Sequence, residues 1–172
     1  MAGPNSADKT IVETIFNGLV RNTPGQVNPE QLQPDLAESW EHSNDLKSWT
    51  FRLRKGVEFH KGFGEFTSDD IVFSLNRAKS KKTDRYYKSY RNFGAIKALD
   101  KYTVRIELKK PTSMASFLPK LLDWQAGMVL SRKAAEKLGK KMKTNPIGTG
   151  PFVFKEHIPQ ERLVVVRDEN YF

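Results

Sequence analysis

The sequence contains no cysteine, and this absence limits its covalent and metal chemistry. Disulfide bonds and cysteine-ligated metal sites are excluded, but the compartment stays open because exported and cytosolic proteins can both lack cysteine. Long apolar runs are absent too: the longest are a few residues, such as 163–166, far short of the ~20 that span a membrane. The start of the chain has no basic segment followed by an apolar one, so we expect no signal peptide in it.

Recognisable catalytic motifs are also missing. The histidines, His42, His60 and His157, are far apart, and none has the spacing of a zinc-binding motif. We therefore expect no metal site, and we expect His60 to be a surface or turn residue. No serine lies in a nucleophile elbow, and the neighbours Asp69 and Asp70 would point about 100° apart on a helix. The sequence predicts a protein that is not an enzyme and uses no cofactor.

Acidic residues are fewer than basic ones: 20 Asp and Glu stand against 29 Lys and Arg, for a net charge of +9. This balance permits nucleic acids, anionic membranes or acidic ligands as partners. Most lysines lie between apolar positions, however, so a solvated basic surface explains them more simply. The length of 172 residues and the apolar content of 38% fit a single domain over residues 1–172.

The spacing of the apolar residues predicts strands and helices in alternation. Residues 49–54 and 102–108 alternate between apolar and polar side chains, which is typical of strands with one buried face. Helical spacing predicts helices over residues 7–16, 68–78 and 131–138. Because the two kinds of element are interspersed and the clearest strands have a polar face, we predict a mixed α/β (α+β) fold. A purely parallel sheet with both faces covered is disfavoured.

Two glycine segments need an explanation of their own. The first glycine segment, residues 56–64, contains three glycines between a predicted strand and a helix, and the second, residues 148–150, reads Gly-Thr-Gly before a predicted strand. The first lacks the Gly-Lys-Ser/Thr ending of a P-loop. The second cannot aim helix N–H groups at a phosphate, because no helix follows it. We interpret both as requirements of backbone geometry, with positive φ expected in the first.

Two stretches could form a binding surface. Residues 79–93 interleave three tyrosines with basic residues, a pattern that can stack bases and hold phosphates but also fits one packed helical face. Residues 121–131 contain Trp124, Gln125 and Met128. Their large ring, amide and pliable thioether suit a pocket for a small molecule or a peptide. Core packing explains the same residues at least equally well.

Several motifs of this sequence occur together in one known family. They are Trp40, the strand and turn FRLRKGVEFHKG, the helix start FTSDDIVFSL, and then KALDKYTVRIELKKP and NPIGTGPFVFKEHIPQERLVVVRDENYF, in that order. With them, nearly the whole chain resembles the family 5 extracellular solute-binding proteins, the oligopeptide, dipeptide and nickel receptors of ABC importers. Lys61 departs from the aspartate that is usual there, and GFGEF lacks the usual proline. The larger departure is length, because family members have two lobes.

The resemblance implies both a fold and a function. The fold would be most of lobe I of a type II periplasmic-binding-protein-like structure, a mixed sheet with flanking helices, without the second lobe and the hinge. The function would be capture of a peptide or related small solute in the periplasm or, as a lipoprotein, at the cell surface. Delivery to ABC permease subunits would follow, with hinge closure and no chemistry. One lobe alone should bind ligand weakly or not at all.

The resemblance also implies which residues contact the ligand. Tyr90 or Phe93 is the nearest match to an aromatic residue that reaches the peptide in the family. Trp124, Gln125 and Met128 match a segment that borders the cleft. A basic nucleic-acid-binding domain stays as the alternative function, and steeply salt-dependent binding would be its signature.

Overall fold

The computed structural model describes residues 6–23, 31–81, 84–122 and 126–172. The helices are α1 (Ser6–Ile15), α2 (Ser68–Ala78), α3 (Asp84–Tyr90), α4 (Met114–Phe117) and α5 (Arg132–Leu138). The strands are β1 (Val20–Arg21), β2 (Gln33–Pro34), β3 (Ala37–His42), β4 (Ser48–Leu53), β5 (Glu58–Phe59), β6 (Gly64–Glu65), β7 (Phe93–Asp100), β8 (Thr103–Leu108), β9 (Phe152–Ile158) and β10 (Arg162–Arg167). Short 3-10 turns lie at His60–Gly62, Leu118–Leu121 and Gly139–Lys143. Within these ranges, no helix combines the length and apolar character that a membrane crossing requires.

The central sheet contains four strands in the order β3, β4, β8, β7. Across β4 and β8, Trp49 lies opposite Ile106 and Phe51 lies opposite Val104. All four of these side chains are fully buried. The residues between them on each strand are exposed or half-buried, so the predicted alternation of one buried and one polar face is confirmed.

Aromatic rings fill the core against this sheet. The Phe117 ring of α4 lies 4.9 Å from the Trp49 ring and 5.5 Å from the Phe93 ring, measured between centroids. The Tyr90 ring continues the cluster, 5.0 Å from that of Phe93. Helix α2 packs on β7 and β8 and contributes Ile71 and other apolar side chains to the same core. Such aromatic contacts stabilise a core beyond the area that they bury.

Three smaller antiparallel pairs surround the central sheet: β1 with β2, β5 with β6, and β9 with β10. The mixed α/β class is confirmed, and so is the exclusion of a purely parallel sheet. The mixture of parallel and antiparallel strands that the resemblance implied is not found in the described part of the chain, where each strand pair is antiparallel. Short connections join most of the paired strands, and a short connection can link only antiparallel neighbours.

Helix α2 begins where the sequence predicts, after Thr67. The Thr67 backbone N–H donates to Asp70 Oδ2 at 3.0 Å, which closes the first turn. Asp70 also has a second role, because its Oδ1 accepts the backbone N–H of Arg132 at 2.9 Å. The carboxylate is buried, so it joins the starts of α2 and α5 from the inside. Its role therefore extends beyond the first turn of α2.

The ends of the other helices also follow local sequence signals. Helix α4 stops at Phe117 and passes into a 3-10 turn that contains Pro119, as expected of a residue without a backbone N–H. Helix α5 is capped by Ser131, whose side chain accepts the N–H of Ala134 at 3.1 Å. It ends at Leu138 and is followed by Gly139, which has a φ of 52°.

Candidate functional site

A cavity of about 260 Å³ lies at the end of α1, and we call it the Asn17 cavity. Its lining comes from parts of the chain that are far apart in sequence: Glu13, Phe16, Asn17, Gly18, Val20, Arg21, Asn22, Asp35, Leu122, Met128, Pro151 and Tyr171. Apolar side chains and side chains of both charge signs therefore border the same space. This combination is typical of pockets for small organic ligands.

A cluster of polar side chains forms one wall of the cavity, centred on Asn17. Its Nδ2 donates to Asp35 Oδ1 at 2.9 Å and to Asp35 Oδ2 at 3.1 Å, and it lies 3.2 Å from the Tyr171 hydroxyl oxygen. The hydroxyl of Thr149 donates to Asn17 Oδ1 at 3.1 Å. Asn17, Asp35 and Thr149 are all buried. The hydrogen bonds thus satisfy polar groups that have little access to water.

Asp35 gives this wall its electrostatic character. Burial raises the pKa of its carboxyl, while the hydrogen bond from Asn17 and the positive charges of Arg21 and Arg54 lower it. The raised pKa means that the burial effect exceeds the stabilisation of the charged form. Since Arg21 and Asp35 both line the cavity, a ligand there would meet an anionic and a cationic group.

The second glycine segment packs directly on the end of α1. A Cβ atom at Gly148 would lie 2.0 Å from the Ile15 carbonyl oxygen, and one at Gly150 would lie 2.5 Å from that of Thr14. The Gly150 N–H donates to the Ile15 carbonyl at 2.9 Å. Only glycine permits backbones to approach so closely, and this approach brings Thr149 against the polar cluster. The interpretation as backbone geometry agrees with the structure, and the requirement is space.

The first glycine segment shows the other use of glycine. Gly56, Gly62 and Gly64 have φ values of 71°, 70° and 95°. Lys61 is left-handed as well, with a φ of 58°. The prediction of positive φ is therefore confirmed for the glycines, and the turn also carries a lysine in a conformation that costs free energy for most residues.

His60 connects the two glycine segments. Its backbone N–H donates to the Gly148 carbonyl at 2.9 Å, and its Nε2 donates to the Gly150 carbonyl at 2.8 Å. The Asp168 carboxylate lies 3.8 Å from the same Nε2, and the imidazole is fully buried. Burial lowers the pKa of His60, and its Nδ1 has no hydrogen-bond partner among the described residues.

The prediction of a surface position for His60 is thus wrong, although the residue does lie in a turn. The backbone of the second glycine segment, which is distant in sequence, covers the ring. His60 is not part of a metal site in the described structure, where no group of three histidine or carboxylate side chains is placed to hold a metal ion.

A family model described as bacterial extracellular solute-binding proteins, family 5 middle, matches residues 31–172 of this chain. The chain belongs to this family. Heme-binding protein A of Haemophilus influenzae is 36% identical in an alignment that covers 93% of this chain and 32% of that protein. The chain therefore spans about a third of the length of this relative.

Solved structures of family 5 proteins have the same fold. The binding protein MoaA from A. tumefaciens R10, in complex with mannopinic acid, superposes with a TM-score of 0.93 at 35% identity. The match covers 99% of this chain and 34% of MoaA. The ABC transporter-associated periplasmic binding protein DppA from Helicobacter pylori, in complex with the peptide STSA, gives 0.85 at 29% identity and covers 99% and 36% of the two chains. None of these matches supports the nucleic-acid alternative.

Of the residues predicted to contact ligand in this family 5 chain, Met128 lines the Asn17 cavity and is half-buried. Its neighbour Val129 donates its backbone N–H to the Asn17 carbonyl at 2.9 Å, which fixes this segment beside the cavity wall. Trp124 and Gln125 lie outside the described residues. Their predicted contacts remain predictions.

Tyr90 and Phe93 lie in the aromatic core. The Tyr90 side chain is buried, and its hydroxyl donates to the Lys120 carbonyl at 2.6 Å. Phe93 is 2% exposed. Neither residue lines the Asn17 cavity, so the structure does not bring them together with Met128. Direct ligand contact by either aromatic remains a prediction.

Sequence reasoning missed the polar cluster around Asn17. Asn17 and Thr149 are separated by 132 positions, and Asn17 and Tyr171 by 154, so no local pattern links them. The local sequence offered no signal for this role, because asparagine also occurs where a helix simply ends.

Proposed function

We propose that this chain is a ligand-binding part of an ABC importer's solute-binding protein, and that it captures peptides or a related small solute. The observation that carries the proposal is the Asn17 cavity, in which Met128 and other apolar side chains adjoin the buried Asn17–Asp35 pair. A peptide or an amino-acid conjugate offers the apolar, N–H and carboxylate groups that such a lining can recognise.

The known ligands of relatives support a small solute of this kind. DppA from Helicobacter pylori holds a peptide, MoaA holds mannopinic acid, and the Haemophilus influenzae relative is named for heme. We infer for this chain a function of binding without chemistry, outside the cytoplasmic membrane, as a periplasmic or lipid-anchored cell-surface protein. Permease subunits of the importer would be its membrane partners.

We further propose that residues 1–172 form one domain, corresponding to most of lobe I. A second lobe and a hinge would complete the cleft, because relatives are about three times as long as the stretch that they share with this chain. Closure of two lobes around a ligand is the usual way in which hinged binding proteins exclude water. Binding to this chain by itself should then be weak, with a dissociation constant on the order of 1 mM.

Each predicted ligand residue keeps a proposed role. Met128 would contact the ligand from the cavity lining, with Trp124 and Gln125 beside it in the sequence. For Tyr90 we infer an indirect contribution, since its hydroxyl holds Lys120 close to Leu122, which lines the cavity. Phe93 packs on the Tyr90 ring and would support that position.

The methionine methyl groups provide a direct test. The sequence has four methionines, of which Met128 lines the Asn17 cavity, whereas Met114 and Met142 do not. We expect 13C-methyl NMR spectra of the chain, titrated with pools of dipeptides and opines, to show a saturable shift of the Met128 signal. The signals of Met114 and Met142 serve as internal controls. Shifts confined to Met114 or Met142 would contradict the proposal.

A further inference from the structure

A second cavity, of about 210 Å³, lies between the end of α2, the end of α3 and the start of β7. We call it the basic niche. Its lining is Lys79, Tyr87, Tyr90, Arg91, Phe93, Gly94 and Lys109. These residues include three cationic side chains and no carboxylate. Most of these residues belong to the basic, tyrosine-rich stretch 79–93, none of which lines the Asn17 cavity.

Two of the three cations of the niche, both lysines, donate to backbone carbonyls. The Lys79 ammonium donates to the Gly94 carbonyl, and the Lys109 ammonium donates to the Arg91 carbonyl at 2.9 Å. Each ammonium has three N–H donors and makes one of these hydrogen bonds within the described part of the chain, which leaves donors for another acceptor. Positive charges fixed in this way lose little conformational entropy when an anion arrives.

The described carboxylates do not neutralise these charges. The ion pairs formed by Lys97, Lys101, Arg132 and Arg162 lie elsewhere, and none includes a cation of the niche. Burial and the nearby charge of Lys109 lower the pKa of Lys79. Like charges that adjoin without a counter-charge repel one another, and an anion placed between them would relieve that repulsion.

We propose that the basic niche binds a small phosphate-type oxyanion, either free phosphate or the phosphoryl headgroup of an anionic lipid. The planar Arg91 guanidinium can donate two parallel hydrogen bonds to such a group, and the two lysines supply point charges. Tyr87 adds a half-buried side chain to the same lining.

The geometry favours an oxyanion over a nucleic acid. Stacking of bases requires exposed aromatic faces, but Tyr90 and Phe93 are buried in the core. The space of about 210 Å³ is also a niche with walls and is not a long groove that could follow a phosphate backbone. Tyr90 and Phe93 therefore offer no stacking face, and the half-buried Tyr87 is the one tyrosine of the lining that is not buried.

Calorimetric titration with inorganic phosphate and with glycerol phosphate tests the site in solution. The test variant is Arg91→Gln/Lys109→Gln, since both side chains are exposed and line the niche. The control variant, Lys141→Gln/Lys155→Gln, removes the same charge at exposed positions outside the niche. We expect about tenfold weaker binding in the test variant and no change in the control. Equal weakening in both variants would show a general charge effect and overturn the proposal.

Flotation with vesicles containing phosphatidylglycerol distinguishes the two sources of the phosphoryl group. Binding to the soluble anions indicates a free ligand, and binding to vesicles alone indicates a headgroup, provided that only the test variant loses it. Absence of binding in both assays overturns the proposal. A single-stranded oligonucleotide that binds more tightly than phosphate, with the same sensitivity to the test variant, would also overturn it in favour of a nucleic-acid surface.

Discussion

In the first glycine segment, Gly56 and Gly62 have positive φ, and a Cβ added to either would meet nothing within 4 Å. In the second, Gly148 and Gly150 have ordinary φ, but an added Cβ would collide with the backbone of α1. The first segment uses glycine for its conformational freedom, and the second uses it for its small size. Glycine segments can thus contribute to a fold locally or through a distant contact.

The largest effect should follow substitution in the second segment. In Gly148→Ala the new methyl group would lie 2.0 Å from the Ile15 carbonyl oxygen, so that the loop or α1 must move. We expect a loss of about 3 kcal/mol in the free energy of unfolding, measured by urea denaturation. Gly56→Ala is the matched control, because it adds the same methyl group in open space and pays only for positive φ, about 1 kcal/mol. Equal losses in the free energy of unfolding would show that the close backbone approach at Gly148 is no more demanding than the positive φ at Gly56.

A smaller loss is expected when the polar cluster next to the second segment is broken. Asn17→Ala removes the Nδ2 that donates to both oxygens of the buried Asp35 carboxylate, and the Oδ1 that accepts from Thr149. We expect a decrease of about 2 kcal/mol in the free energy of unfolding, since Asp35 would remain buried with fewer partners. Asn92→Ala is the control, because Asn92 is only half-buried and its bonds lie far from this cluster. A larger loss in the control would contradict the importance of the cluster.

The same contrast explains how much could be predicted. The alternation of Trp49 and Phe51 with polar residues, and the helix over residues 131–138, depend on neighbours within a few residues, so local patterns predicted them. The Asn17–Thr149 bond joins residues 132 positions apart, and only the folded chain brings them together. His60 shows both cases at once. Its turn is local and was predicted, whereas its burial depends on the second glycine segment and was not.

The pH dependence of stability tests whether the contact of His60 with the second glycine segment matters for the fold. Its pKa is lowered in the folded state, so the unfolded chain takes up a proton more readily below its ordinary value of about 6.5. The free energy of unfolding should therefore fall as the pH drops through about 6.5, because the buried site favours the neutral imidazole. In His60→Gln this part of the pH dependence should disappear, as measured by urea denaturation across that range.

The sign of this effect separates His60 from the buried carboxylates. The raised pKa values of Asp35 and Asp70 make protonation easier in the fold, so their contribution to stability grows as the pH falls. Both are present in the variant, and the difference between wild type and His60→Gln isolates the histidine. His157→Gln, at an exposed position, is the control. If it flattens the curve as much as His60→Gln, the buried imidazole is not the cause.

The smallest effect is expected within the first segment, and it should be stabilising. Lys61 has a φ of 58°, a conformation that asparagine adopts more readily than lysine, and the family resemblance places aspartate there. Lys61→Asn also loses the ammonium 5.4 Å from the Phe154 ring centroid, a contact worth about 0.5 kcal/mol. We expect a net gain of about 0.5 kcal/mol in the free energy of unfolding, because relief of the left-handed strain exceeds that loss.

Lys55→Asn provides a closely matched control for this gain. The Lys55 ammonium lies 5.5 Å from the Tyr102 ring centroid, so the substitution loses a similar cation–π contact. Lys55 does not have positive φ, however, and no strain is relieved. The control should therefore lose stability or stay unchanged in the same denaturation assay. If both variants change stability by the same amount, the backbone at residue 61 is not strained, and conformational freedom is needed in this segment only at its glycines.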